Sequence, residues 1–146
     1  MSPATAAVPA DGERLPQKTS RAFEVAFAPE RRRVRHMRRM TTEFLRREGV
    51  FGEPAESIVL IVSELVTNAV EHGKGPGKLH VRHLDDEVRV EVTDNNAAPA
   101  EIHPAGPEDE SGRGLALTEV LAETWGVSED CRTTWARFAV PTGRPR

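Results

Sequence analysis

A chain of 146 residues and 16.1 kDa fits one domain around one hydrophobic core. Its net charge of -3 and pI near 6.0 give no electrostatic case for nucleic acid or a membrane as a partner of the whole molecule, and no apolar run approaches the roughly 20 residues of a membrane span. The one cysteine, Cys131, excludes an internal disulfide and a multi-thiolate metal site within one chain; the first 20 residues lack the apolar segment of a secretory signal, so the cytoplasm is the expected compartment.

Residues 1–20, rich in Ala, Pro and polar side chains, read as a disordered lead-in to one domain at 21–140, with 141–146 a flexible tail. A first strand is expected over 21–27, where Phe23, Val25 and Phe27 alternate with polar neighbours. Pro29 and Glu30 open a helix to Arg47, with acid in its first turn. Gly49 and Gly52 break it. A second helix runs from Pro54 to Gly73, its Ile58, Ile61, Val62, Leu65, Val66, Ala69 and Val70 falling at helical spacing. Residues 79–82 and 88–92 alternate with period two about the polar turn 85–87 and read as a hairpin. Residues 95–111 are Pro- and Gly-rich with almost nothing apolar, which suggests a long functional loop and, over 97–111, a mobile lid. A short helix over 114–123 and strands near 125–127 and 133–140 close the chain, with Trp125 and Trp135 expected in the core. This order suggests helices layered on one face of a mixed sheet, the other face being wet at Arg82, Arg89 and Glu91.

Glu64 and Asn68 are four residues apart, about 40° around the helix axis, on a face that is not the apolar one. A carboxylate one turn from a carboxamide could hold a hard cation and activate a hydroxyl; on this helix alone, the pair reads better as a solvated helix face. Asp94 ends a strand, where a carboxylate can face a pocket or serve an ordinary turn. Ser111-Gly112-Arg113-Gly114 opens a helix, so its amides and Arg113 could meet phosphate oxygens, or the glycines could form a hinge.

Glu64-x-x-x-Asn68-Ala69-x-x-His72-Gly73 resembles the N-box of the ATP-binding superfamily shared by DNA gyrase, histidine kinases and a heat-shock chaperone. The closest likeness is to the small anti-sigma-factor serine kinases, over roughly residues 21–140. The resemblance implies an α+β fold, a two-layer α/β sandwich with a mixed, mostly antiparallel sheet and helices on one face (the Bergerat type). It implies ATP and Mg2+ as cofactors. Asn68 would be the magnesium ligand and Glu64 the catalytic base. Asp94 would accept the adenine amine; Gly112, Arg113 and Gly114 would meet the phosphates; Thr134 would support the base through water or serve only as a strand residue. His72 is expected to cap its helix. The family has glycines shortly after the aspartate, whereas Asn95, Asn96, Ala97 and Ala98 stand here.

The expected function is that of an anti-sigma factor with serine/threonine kinase activity toward an anti-anti-sigma antagonist, acting in transcription regulation. Its partners would be a sigma factor and that antagonist, with a homodimer also compatible. One alternative is an ATP-binding protein-interaction module without kinase activity. The other is nucleic-acid binding through Arg31, Arg32, Arg33, Arg35, Arg38 and Arg39, although no aromatic residues interleave that run and an acidic partner suits it better. A histidine kinase is not expected, because the first 20 residues leave no room for a dimerisation helix with a phosphoacceptor histidine.

Overall fold

A computed structural model describes residues 20–72, 75–94 and 110–141, with side chains throughout except at 110–115. The lead-in through residue 19, residues 73–74, residues 95–109 with most of the lid expected over 97–111, and the tail from 142 lie outside the described residues.

Strand β1, Ser20–Phe27, is followed by helix α1, Arg32–Arg47, and helix α2, Gly52–His72. Strands β2, Gly77–Leu84, and β3, Glu87–Thr93, form the hairpin; helix α3, Glu110–Leu121, and strands β4, Thr124–Val127, and β5, Thr133–Ala139, complete the order. One five-stranded sheet runs β1-β2-β3-β5-β4 with every neighbour antiparallel. This is the expected α+β sandwich, at the antiparallel end of the expectation.

The period-two pattern decides which sheet face is covered. Leu79 and Val81 of β2, Val88 and Val90 of β3 and Ala136 of β5 are fully buried. They meet Ile58, Ile61, Val62 and Val66 of α2, which also have no exposure. Each of these Val, Leu and Ile side chains contributes about 1.5–3 kcal/mol relative to exposure. Helix α2 lies across β2, β3 and β5, with α1 on one side and α3 on the other, so all three helices share one face.

The turn from α1 to α2 is set by two glycines in the left-handed region, Gly49 at φ 78° and Gly52 at φ 70°. Gly49 N–H donates to the Arg46 carbonyl (3.1 Å) and Val50 N–H to the Leu45 carbonyl (2.9 Å), the paired bonds of a Schellman ending. Val50 is thereby drawn against Leu45 in the core, while Phe51 is turned outward and stays 64% exposed.

Three expectations need correction. Helix α1 begins at Arg32, without acid in its first turn. Residues 30–34 first make a tighter turn, with Arg33 N–H on the Glu30 carbonyl and Val34 N–H on that of Arg31. The Glu30 carboxylate bonds Arg32 (3.0 Å). Helix α3 starts at Glu110, four residues before the expected Gly114, and ends at Leu121. Trp135 leaves the core: its neighbour Ala136 faces the helices, so alternation turns the indole to the other face. There it lies under Arg89, whose Cζ is 4.4 Å from the ring centroid. A Cβ at Gly126, opposite on β4, would meet that indole at 2.8 Å, so only glycine fits beneath the ring. Trp125 does pack against the core.

Candidate functional site

Connectivity gathers the candidate residues at one end of the sheet. The chain leaves α2 at His72 and enters β2 at Gly77, so the C-terminal end of α2 lies where β2 begins. The antiparallel register pairs Lys78 with Thr93, which brings the end of β3, and Asp94 after it, to that same end. Thr93 pairs with Thr133, so β5 begins there too and carries Thr134 next along. Helix α3 ends just before β4, whose Thr124 pairs with Arg137 at the far end. Twelve residues of helix span about 18 Å, which carries the N-terminus of α3 back toward Asp94.

Glu64 and Asn68 are half-buried on α2, one turn apart and about 6 Å along its axis. Glu64 also lines, with Ser63, one end of the groove between α1 and α2. Asp94 is half-buried, and its N–H donates to the Arg132 carbonyl at 2.8 Å, tying the strand end to the start of β5. Beside it, the Thr93 and Thr133 hydroxyls share a hydrogen bond of 2.8 Å. Thr134 pairs with Val92 and Val127 and shares the helix-covered face with the buried Val92. Thr93 and Thr133 therefore brace this corner, a pair the sequence reading missed; two threonines in strands gave no hint of it until the register set them opposite each other.

Gly112, Arg113 and Gly114 fall inside the first turn and a half of α3, whereas the sequence suggested the loop and start of a later helix. This places Gly112 and Arg113 among the first four residues of a helix, whose N–H groups have no intrahelical acceptor and where anions bind, whereas Gly114 is the fifth and its N–H falls within the helix's own ladder. His72 ends α2 as expected, largely exposed, with its Nε2 3.9 Å from a Glu71 carboxylate oxygen. Glu71 takes an ion pair from Arg31, which fastens the end of α2 to the start of α1.

The residues present suit Mg2+-ATP by their chemistry. Asn68 offers one neutral oxygen, the kind of sparse protein ligation that magnesium accepts when phosphates and waters complete its shell. Asp94 offers an acceptor to an exocyclic amine, and α3 offers amides to phosphates. Among the described residues no cluster of three His, Cys, Asp or Glu could hold a metal by itself. No helix among them is long and apolar enough to cross a membrane.

Comparison with known proteins agrees with this layout. Residues 27–138 match the family model of the histidine kinase-like ATPase domain. An uncharacterised protein of Streptomyces coelicolor is 40% identical over 73 residues, covering 47% of this chain and 70% of its own length. The match runs from the last residue of β1 to within one residue of the end of β5, so it takes in all three helices and strands β2 to β5: the chain belongs to the histidine kinase-like ATPase family and is an ATP-binding domain of that type.

Proposed function

We propose that this domain is a protein serine/threonine kinase of the anti-sigma-factor type, acting on a serine of an antagonist protein with Mg2+-ATP as donor. The observation that carries the reading is the pairing of Glu64 with Asn68 on α2, at the sheet end where Asp94 and the start of α3 converge. When bound, ATP supplies the γ-phosphoryl group. Asn68 Oδ1 holds the magnesium, and the Asp94 carboxylate accepts a hydrogen bond from the adenine amine, which disfavours bases with a carbonyl at that edge. The N-terminal amides of α3 orient the phosphates. A Glu64 carboxylate oxygen would take the proton from the incoming serine hydroxyl as that oxygen bonds to the γ-phosphorus and the bond to the bridging oxygen breaks, releasing ADP, a contribution typically of about 10² to 10⁴ in rate. In this reading the protein also sequesters a sigma factor, and phosphorylation of the antagonist keeps that sigma factor bound.

The test is incubation with γ-labelled ATP and purified candidate antagonists. Phosphoserine on one of them, lost with Glu64→Gln, is the expected result. Tight ATP binding without transfer to any antagonist would leave a nucleotide-dependent interaction module instead.

A further inference from the structure

Helix α1 carries seven arginines against one glutamate, a charge of +6 in a chain of -3, so the remainder totals -9. Arg32 and Arg33 are held by Glu30, and Arg46 lies 3.5 Å from Glu43. Arg35, Arg38, Arg39 and Arg47 have no acidic partner among the described residues. Like charges packed on one helix repel, and no acidic side chain among the described residues forms an ion pair with these four.

One row of this helix borders a groove. Arg38, Thr42 and Arg46 stand along it, and Arg35 continues the row one turn earlier, so Arg35 to Arg46 spans about 16 Å. The groove has a volume of about 670 Å³ and an apolar floor that includes Leu45, Val50 and Val59. Phe51 is 64% exposed and Leu60 40%, two of the three large apolar side chains most open to solvent among the described residues. Glu56 and Glu64 form the opposite wall.

We propose that the groove between α1 and α2 docks an amphipathic helix of a partner protein, its acidic edge along Arg35, Arg38 and Arg46 and its apolar edge on Phe51 and Leu60. An apolar helix face in a groove is a recurring mode of recognition, and the guanidinium row fixes its direction and register. The apolar floor, with Phe51 and Leu60 open beside it, argues against a phosphate backbone, which has no apolar edge to lay there, while Glu56 and Glu64 keep the occupant's acidic edge on the arginine side. The site is independent of phosphoryl transfer, although its Ser63–Glu64 end adjoins the nucleotide site, so an occupant would come close to the catalytic carboxylate.

The test is a titration of the ¹⁵N-labelled full chain, without nucleotide, with a stapled amphipathic helix of about 14 residues (~21 Å) bearing glutamates along one edge and leucines beside them. The controls are the same helix with lysine for glutamate, and a single-stranded DNA oligonucleotide. Amide shifts should concentrate at Thr42, Arg46, Phe51 and Leu60. Arg38→Glu and Phe51→Asp should each weaken binding about tenfold. Arg39→Glu, on the other side of the same helix, should have little effect. All three positions are exposed, and unchanged melting temperatures would confirm that the variants fold. The proposal is overturned by absence of shifts, by equal binding of the lysine helix, or by equal sensitivity to Arg39→Glu. Tighter binding of the oligonucleotide at the same residues would make the row a nucleic-acid site. A dimer in sedimentation that Phe51→Asp dissociates would make the occupant a second copy, and would equally overturn it. Failure of phosphate transfer in the kinase assay leaves this titration unaffected.

Discussion

Glu64→Gln keeps the side chain's shape and hydrogen-bonding atoms while removing its basicity, so it separates chemistry from binding. With a proton-accepting role, the variant should bind Mg2+-ATP as the wild type does and lose about 10² to 10⁴ in transfer rate. Asn68→Ala removes the carboxamide oxygen one turn further on and should weaken Mg2+-ATP binding itself, read by calorimetry with and without magnesium. A transfer rate unchanged by Glu64→Gln would remove Glu64 from the mechanism. Asp94→Asn should narrow the preference for ATP over GTP, because an amide can present its N–H to the carbonyl edge that a carboxylate rejects.

Between α1 and the sheet, the link that matters most outside the apolar core is polar. Glu48, the residue capping α1, accepts a hydrogen bond of 2.8 Å from His83 Nδ1 on β2, and both side chains are only 11% exposed. Arg21 on β1 lies 3.8 Å from the same carboxylate, while His83 Nε2 is buried with no hydrogen-bond partner among the described residues. Removing one member strands the other, so Glu48→Ala should cost about 1–3 kcal/mol in a denaturant titration. The double variant Glu48→Leu/His83→Leu should cost less than the sum of the single ones, since no polar group is then left behind. One residue on, Gly49→Ala would force a Cβ into φ 78°. That should cost about 1–2 kcal/mol, although open space surrounds the position and no clash adds to it.

For the whole molecule, nucleotide binding should register as stability. A ligand at a hundredfold its dissociation constant adds about 2.7 kcal/mol, which for a domain of this size raises the melting temperature by roughly 5–11 °C. Millimolar Mg2+-ATP should produce that rise and GTP clearly less; no shift in either scanning fluorimetry or calorimetry would remove ATP from the account. With the proposed site, such binding would draw on α2, β3, β5 and α3 together, because the corner at Asp94 exists only when the sheet has formed.

The elements were legible in the chain because their signals are local. Apolar spacing in α2, alternation in β2 and β3, and the glycines at 49 and 52 each depend on a few neighbouring residues. The motif order Glu64, Asn68, Asp94, Gly112 and Gly114 was legible in the same way, and it pointed to the family that residues 27–138 match. Tertiary structure alone decided what depends on pairing between distant segments. Trp135 looked like core by composition, yet the register with Ala136 sent it outward onto Arg89 and Gly126. Thr93 and Thr133, forty residues apart, became a hydrogen-bonded brace only through the β3–β5 ladder. The arginine run read as a charged helix face; that three of its guanidiniums, on Arg35, Arg38 and Arg39, go without acidic partners among the described residues, and that Arg38 lines a groove between α1 and α2, follows from how the two helices pack. Sequence spacing sets which side chains share an element's face, but which faces meet is fixed by burial of apolar area summed over the whole chain.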